Sequence, residues 1–168
     1  DTTDADWYDF TLPQDVTVQF PAWFKPTKRE DGGWDAFAPD GTRIATMPST
    51  GTYFDQTCFP YDNGYPDNYA DLPAAMSKVL WAGLPHSPWN HAGEADFWAQ
   101  LRAKAIHLRE TTDKALMVVV GCNLFEWGTF LRRIDNFLMD LVTEPEQVES
   151  LLDALMERHM ITLEKVCQ

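Results

Sequence analysis

The chain has little cysteine, few basic residues and no long apolar run, and each shortage narrows what it can be. Its three cysteines, Cys58, Cys122 and Cys167, are an odd and widely spaced set without a C-x-x-C pair. Neither a disulfide framework nor a zinc ribbon can be built from them, so a reducing cytoplasm is the expected setting. Thirteen Lys and Arg stand against 26 Asp and Glu, for a formal net charge of -13. Nucleic-acid binding needs a clustered basic surface, and here Lys and Arg are scattered, so no nucleic-acid partner is expected; the acidic balance reads as solubility. No apolar stretch approaches the roughly 20 residues that cross a bilayer. Membrane insertion is not expected either. The first residues, Asp1 to Asp6, lack the basic and apolar order of a secretion signal.

Aromatic residues are plentiful: seven Trp, five Tyr and ten Phe. Rings at such density fill an irregular core or line an organic-ligand pocket. Texture changes near Gly93. Residues 1–92 read as an aromatic-rich hairpin and loop region, and residues 93–168 as β/α units, within one domain overall. In the first region Val16 to Phe20 has strand composition and ends at Pro21. Trp34 to Ala38 and Thr42 to Met47 flank Pro39-Asp40-Gly41, where Pro presets φ and Gly supplies the positive φ of a strand return. The Pro- and Gly-interrupted stretch Tyr53 to Tyr69 reads as an ordered aromatic loop, and a short helix is expected over Leu72 to Leu80. The segment Gly83 to His91 reads as a linker or a wall of a site.

The second region has a helical period from Glu94 to Arg109, with Phe97, Trp98, Leu101, Ala105 and Leu108 predicted to pack inward. Ala115 to Gly121 is an uninterrupted apolar run suited to a parallel strand buried on both faces. Leu124 to Leu131 and Ile134 to Val142 predict two short helices. A long amphipathic helix follows, with Thr143 as N-cap, Pro145 in its first turn and Glu146 at the capping-box position. Its inner face is expected to carry Val148, Leu151, Leu152, Leu155, His159, Leu163 and Val166. The chain starts without an initiator Met, and this last pattern reaches Gln168 without a stop signal. With one parallel strand and no parallel neighbour for it, the expectation is an incomplete piece of a larger α/β protein.

The stretch Leu116 to Val166 resembles the central part of the uroporphyrinogen decarboxylase superfamily. The residues that carry this are Val-Gly-Cys-Asn at 120–123, Leu124-Phe125-Glu126, Phe130 to Leu141, Thr143 to Val148 and Leu151-Leu152. Gly33 to Pro48 and Tyr53-Phe54-Asp55 resemble more weakly an insertion in the methyltransferase-like members. The resemblance implies part of a (β/α)8 TIM barrel with an aromatic-rich β-hairpin and loop insertion. It also implies either metal-free decarboxylation of porphyrinogen acetate groups or zinc-dependent methyl transfer from a corrinoid protein. The Arg-Gln-Ala-Gly-Arg-type motif of the decarboxylases is missing, and Phe130, or Thr129 if the alignment slips, stands where their Tyr is expected. Corrinoid-linked methyl transfer is therefore the expected activity. No cofactor is expected in this chain itself, and zinc and a corrinoid protein belong to the complete enzyme. Partners would be a small-molecule or corrinoid-protein substrate, and the remainder of the barrel or a second chain.

Barrel enzymes work at the C-terminal ends of their strands, which singles out Gly121, Cys122 and Asn123. Cys122 is a candidate catalytic thiolate or a packed thiol, and Asn123 a ligand contact or a helix cap. Glu126 is a candidate general acid or base, or the other half of a capping box with Asn123. Phe125, Trp127, Phe130 and Tyr53 are candidate substrate-facing rings. Arg132 and Arg133 could hold an anionic substrate, or one of them pairs with Asp135. His86 and His91 share a loop but lack a third ligand, so no metal site is expected; His107 and His159 read as helix-surface or boundary residues. The rival to an enzyme is a non-catalytic binding or scaffolding module that uses the aromatic loop.

Overall fold

A computed structural model describes residues 7–22, 24–38, 40–80, 93–118 and 123–168. Two small antiparallel sheets come first. Strand β1 (Trp7–Thr11) pairs with β2 (Thr17–Pro21), Trp7 facing Pro21 and Thr11 facing Thr17. Between them Asp15 takes a φ of +59°, a left-handed conformation that Asp tolerates better than most residues. The second sheet has the order β3-β4-β5-β6. Its strands are β3 (Thr27–Lys28), β4 (Trp34–Phe37), β5 (Arg43–Met47) and β6 (Asp55–Gln56). The expected hairpin is present as β4 and β5. Gly41 sits at φ +84° in its turn, and Asp40 Oδ1 accepts from the Thr42 N–H at 2.9 Å.

Both sheets share one core. Phe10, Phe24, Ile44, Met47 and Phe54 are buried in it, with Phe20 and Trp34 packed alongside. The rings meet edge to face: Phe10 with Trp34 at 5.0 Å and Phe24 with Phe54 at 5.3 Å. That arrangement sets positive ring edges against negative faces. Arg29 anchors the sheet edge by donating to Asp35 at 2.8 Å and to Thr46.

Five helices follow among the described residues: α1 (Leu72–Met76), α2 (Phe97–Thr111), α3 (Leu124–Arg132), α4 (Ile134–Thr143) and α5 (Pro145–Cys167). Helices α3, α4 and α5 pack on the aromatic loop and α1 around a second core of Tyr61, Leu72, Val79, Leu131, Phe137, Val148, Leu151 and Leu155. On α5 only the N-terminal half of the expected inner face, Val148 to Leu155, is buried.

Three expectations need correction. Ala115 to Val118 carries neither strand nor helix and is exposed, while Val119 to Gly121 lies outside the described residues. A parallel strand needs neighbours on both sides, and both sheets of the described residues are antiparallel. Helix α2 forms, yet none of its residues is buried. Its apolar stripe is interleaved with Arg102, Lys104, His107 and Arg109 and has no layer over it. Thr143 does not cap α5. It ends α4, where its hydroxyl donates to the Met139 carbonyl, and Glu144 takes the N-cap position. No helix of the described residues is long and apolar enough to cross a membrane. The Gly83–His91 segment, with His86 and His91, lies outside the described residues.

Candidate functional site

The helix α3 carries most of the candidate residues, and its first turn is closed by its own side chains. Asn123 Oδ1 accepts from the Glu126 N–H at 3.3 Å, and Asn123 Nδ2 donates to Glu126 Oε2 at 2.7 Å. The pair thereby caps two otherwise orphaned groups reciprocally. Both residues are exposed, so a carboxylate is presented to solvent at the N-terminus of α3. Cys122 lies outside the described residues.

The aromatic candidates are used for packing. Phe125 is half-exposed and meets the buried Phe137 edge to face at 5.3 Å. Trp127 and Phe130 stack at 6.1 Å and lean on the helical core. Tyr53 is 64% exposed ahead of β6, and no hydrogen bond or ring contact among the described residues joins it to α3.

At the other end of α3 lies a polar node that the sequence did not reveal. Arg132 Nε donates to Asp140 at 2.7 Å, and Arg132 Nη1 donates to the carbonyls of Tyr61 at 2.9 Å and Asp62 at 2.6 Å. Its guanidinium carbon lies 5.2 Å from the centre of the Tyr65 ring. Side-chain exposure is 15% for Arg132 and 8% for Asp140. Burial opposes the charge on Arg132, but the hydrogen bond to Asp140 and its negative charge outweigh it, and the pKa ends above the usual arginine value. Burial raises the Tyr65 hydroxyl pKa, and the Asp140 carboxylate adds to the effect. The Tyr69 hydroxyl is pushed up to about 12, chiefly by burial and then by Tyr61.

The same step receives further strands of the clamp. The Tyr61 N–H donates to the Leu131 carbonyl at 2.8 Å, Gln56 Nε2 to the Phe130 carbonyl at 2.7 Å, and Asn136 Nδ2 to Asp62 Oδ1 at 3.0 Å. Arg133, at the uncommon φ of +70° between α3 and α4, turns outward to pair with Asp135. The aromatic loop is thus bolted to the end of α3, and the guanidinium of Arg132 is committed to that joint.

Among the described residues no group of three or more His, Cys, Asp or Glu is placed to hold a metal ion, so zinc has no ligand set there. No family model matches the chain, and no curated protein and no solved structure matches it either.

Proposed function

We propose that the chain is part of a (β/α)8-barrel enzyme of the uroporphyrinogen decarboxylase type. Within that class we assign it to corrinoid-linked methyl transfer rather than porphyrinogen decarboxylation. One observation carries the reading: the apolar run leading into α3 lies open, with Met117 88% exposed and Leu116 and Val118 beside it uncovered. Burying three such side chains would contribute about 1.5–3 kcal/mol each, a strong drive toward pairing with strands from the remainder of the barrel or from a second chain. Insertion of the run as a barrel strand would set Cys122, Asn123 and Glu126 at its C-terminal end.

In this reading Glu126 donates or accepts a proton, and Cys122 faces the substrate. Asn123, Phe125 and Trp127 line the same end, and the substrate is a small molecule or a corrinoid protein. Zinc and the corrinoid protein are supplied to the complete enzyme. The departures at Phe130 and at the missing paired-arginine motif favour methyl transfer over decarboxylation. The free thiols of Cys58 and Cys167 suit a reducing cytoplasm.

Hydrogen exchange over residues 115–121 tests the proposal, together with methyl transfer from methylcobalamin to a thiol in the presence of zinc. The isolated chain should exchange these amides fast. The product of the whole reading frame should protect them and turn over. Slow exchange in the isolated chain would remove the case for a missing sheet partner, and a protected but inactive product would leave a binding module as the better reading.

A further inference from the structure

Two amphipathic surfaces of this chain have matching shape and opposite charge. Along α2, Phe97, Leu101, Ala105 and Leu108 follow at helical spacing and form a stripe down one side. Lys104 borders the stripe on one flank, and Arg102 and Arg109 on the other. Against these three bases residues 97–111 carry one acid, Glu110. Ile106 and Leu108 are half-exposed, and no residue of the helix is buried.

The second surface lies where α4 meets α5. A groove of about 270 Å³ has Leu141, Pro145, Val148 and Leu152 as its floor and Glu149 and Asp153 at its rim. Exposed Ile134 and Leu138 extend the apolar floor along α4. Residues 134–168 hold eight acidic and two basic residues. An apolar stripe with basic flanks fits an apolar groove with an acidic rim.

The helix cannot fill the groove of its own chain. Arg102 donates to the backbone carbonyl of Gln168, which ties the middle of α2 to the far end of α5. At about 1.5 Å per residue, Asp153 lies roughly 22 Å along α5 from Gln168, whereas Leu108 lies only about 9 Å along α2 from Arg102.

We propose that α2 of one copy docks in the α4–α5 groove of a second copy, giving self-association through helix-in-groove contacts. If the exchange is reciprocal, the two contacts form a closed dimer. The interface is separate from the open apolar run before α3, so it does not depend on the enzymatic reading.

Sedimentation velocity over a concentration series at low and high salt tests it. Association should increase with concentration and weaken with salt. The charge reversals Glu149→Lys with Asp153→Lys, and separately Lys104→Glu with Arg109→Glu, should each raise the dissociation constant by at least about tenfold. Both pairs lie on exposed helix positions, and circular dichroism checks that helix content is kept. Mixing the two variants should restore association, because each then offers what the other has lost. A chain that stays monomeric throughout would overturn the proposal. So would an oligomer that ignores both reversals and salt.

Discussion

Replacing Arg132 by Met removes a buried charge while keeping most of the side-chain volume, and the structure sets the size of the effect. Asp140 would be left 8% exposed without its ion-pair partner, and the carbonyls of Tyr61 and Asp62 would lose their shared donor. Breaking a buried pair from one side costs about 3–5 kcal/mol, because the remaining charge stays desolvated. That is a large fraction of the roughly 5–15 kcal/mol that holds an ordinary domain folded. Urea unfolding followed by tryptophan fluorescence should show the loss as a lower midpoint. Replacing Asp140 by Leu in the same chain should recover part of it, since two apolar groups then meet where one orphaned charge stood; the two carbonyls keep the recovery incomplete. Arg133→Ala next door should leave the midpoint unchanged, its pairing with Asp135 being solvent-exposed. An Arg132→Met loss below about 1 kcal/mol would refute the reasoning, because the guanidinium would then be dispensable to the fold and available to a ligand.

Gly128→Ala would ordinarily stabilise a helix interior by about 1 kcal/mol, but here the added Cβ would stand 2.4 Å from the ring of buried Phe137. The expected result is a loss of about 1–3 kcal/mol from overpacking, read from the unfolding midpoint. Asp35→Asn should alter the acid limb of stability. Burial alone would raise the Asp35 pKa, but hydrogen bonds from Thr46 and Arg29 outweigh it and hold the carboxyl below its usual range. Its contribution is complete above the unfolded value of about 3.9 and is lost as pH falls through the lower native value. The variant should be less stable at neutral pH and converge on the parent in acid.

What the sequence revealed was local. The β4–β5 hairpin was legible because its turn residues act within four positions, and Gly41 adopts the positive φ it was chosen for. The α3 cap was legible as one of two uses of Asn123 and Glu126, since a capping box is a three-residue relation. Start of α5 was half legible: Pro145 marks it, but the Glu144 N–H still donates to the Asp140 carbonyl at 2.9 Å, so α4 runs on until Thr143 has no cap to make. The Arg132 node could not be read, because its acceptors Tyr61 and Asp62 lie 71 and 70 residues away. Burial of Leu116 to Val118 and of the α2 stripe was inferred from apolarity alone. Apolarity shows that a segment gains from a cover, and says nothing about which element supplies it.

The two ends of α3 separate structure from chemistry in a way that one substitution can use. The clamp on the aromatic loop sits at Phe130 to Arg132, and the candidate carboxylate at Glu126, six residues or about 9 Å back along the helix. Glu126→Gln preserves an oxygen able to accept from Asn123 Nδ2 and leaves the Glu126 N–H to Asn123 Oδ1 bond untouched. The unfolding midpoint should therefore stay at the parent value, whereas Asn123→Ala should lower it by the roughly 1 kcal/mol of a lost cap. Turnover of the whole enzyme should respond in the opposite order. Loss of a general acid or base costs about 10²–10⁴ in rate, so Glu126→Gln should be the slow variant and Asn123→Ala the unstable one. If Glu126→Gln keeps both its midpoint and its rate, the carboxylate is a cap and nothing more, and the chemistry must be sought on residues other than those of α3.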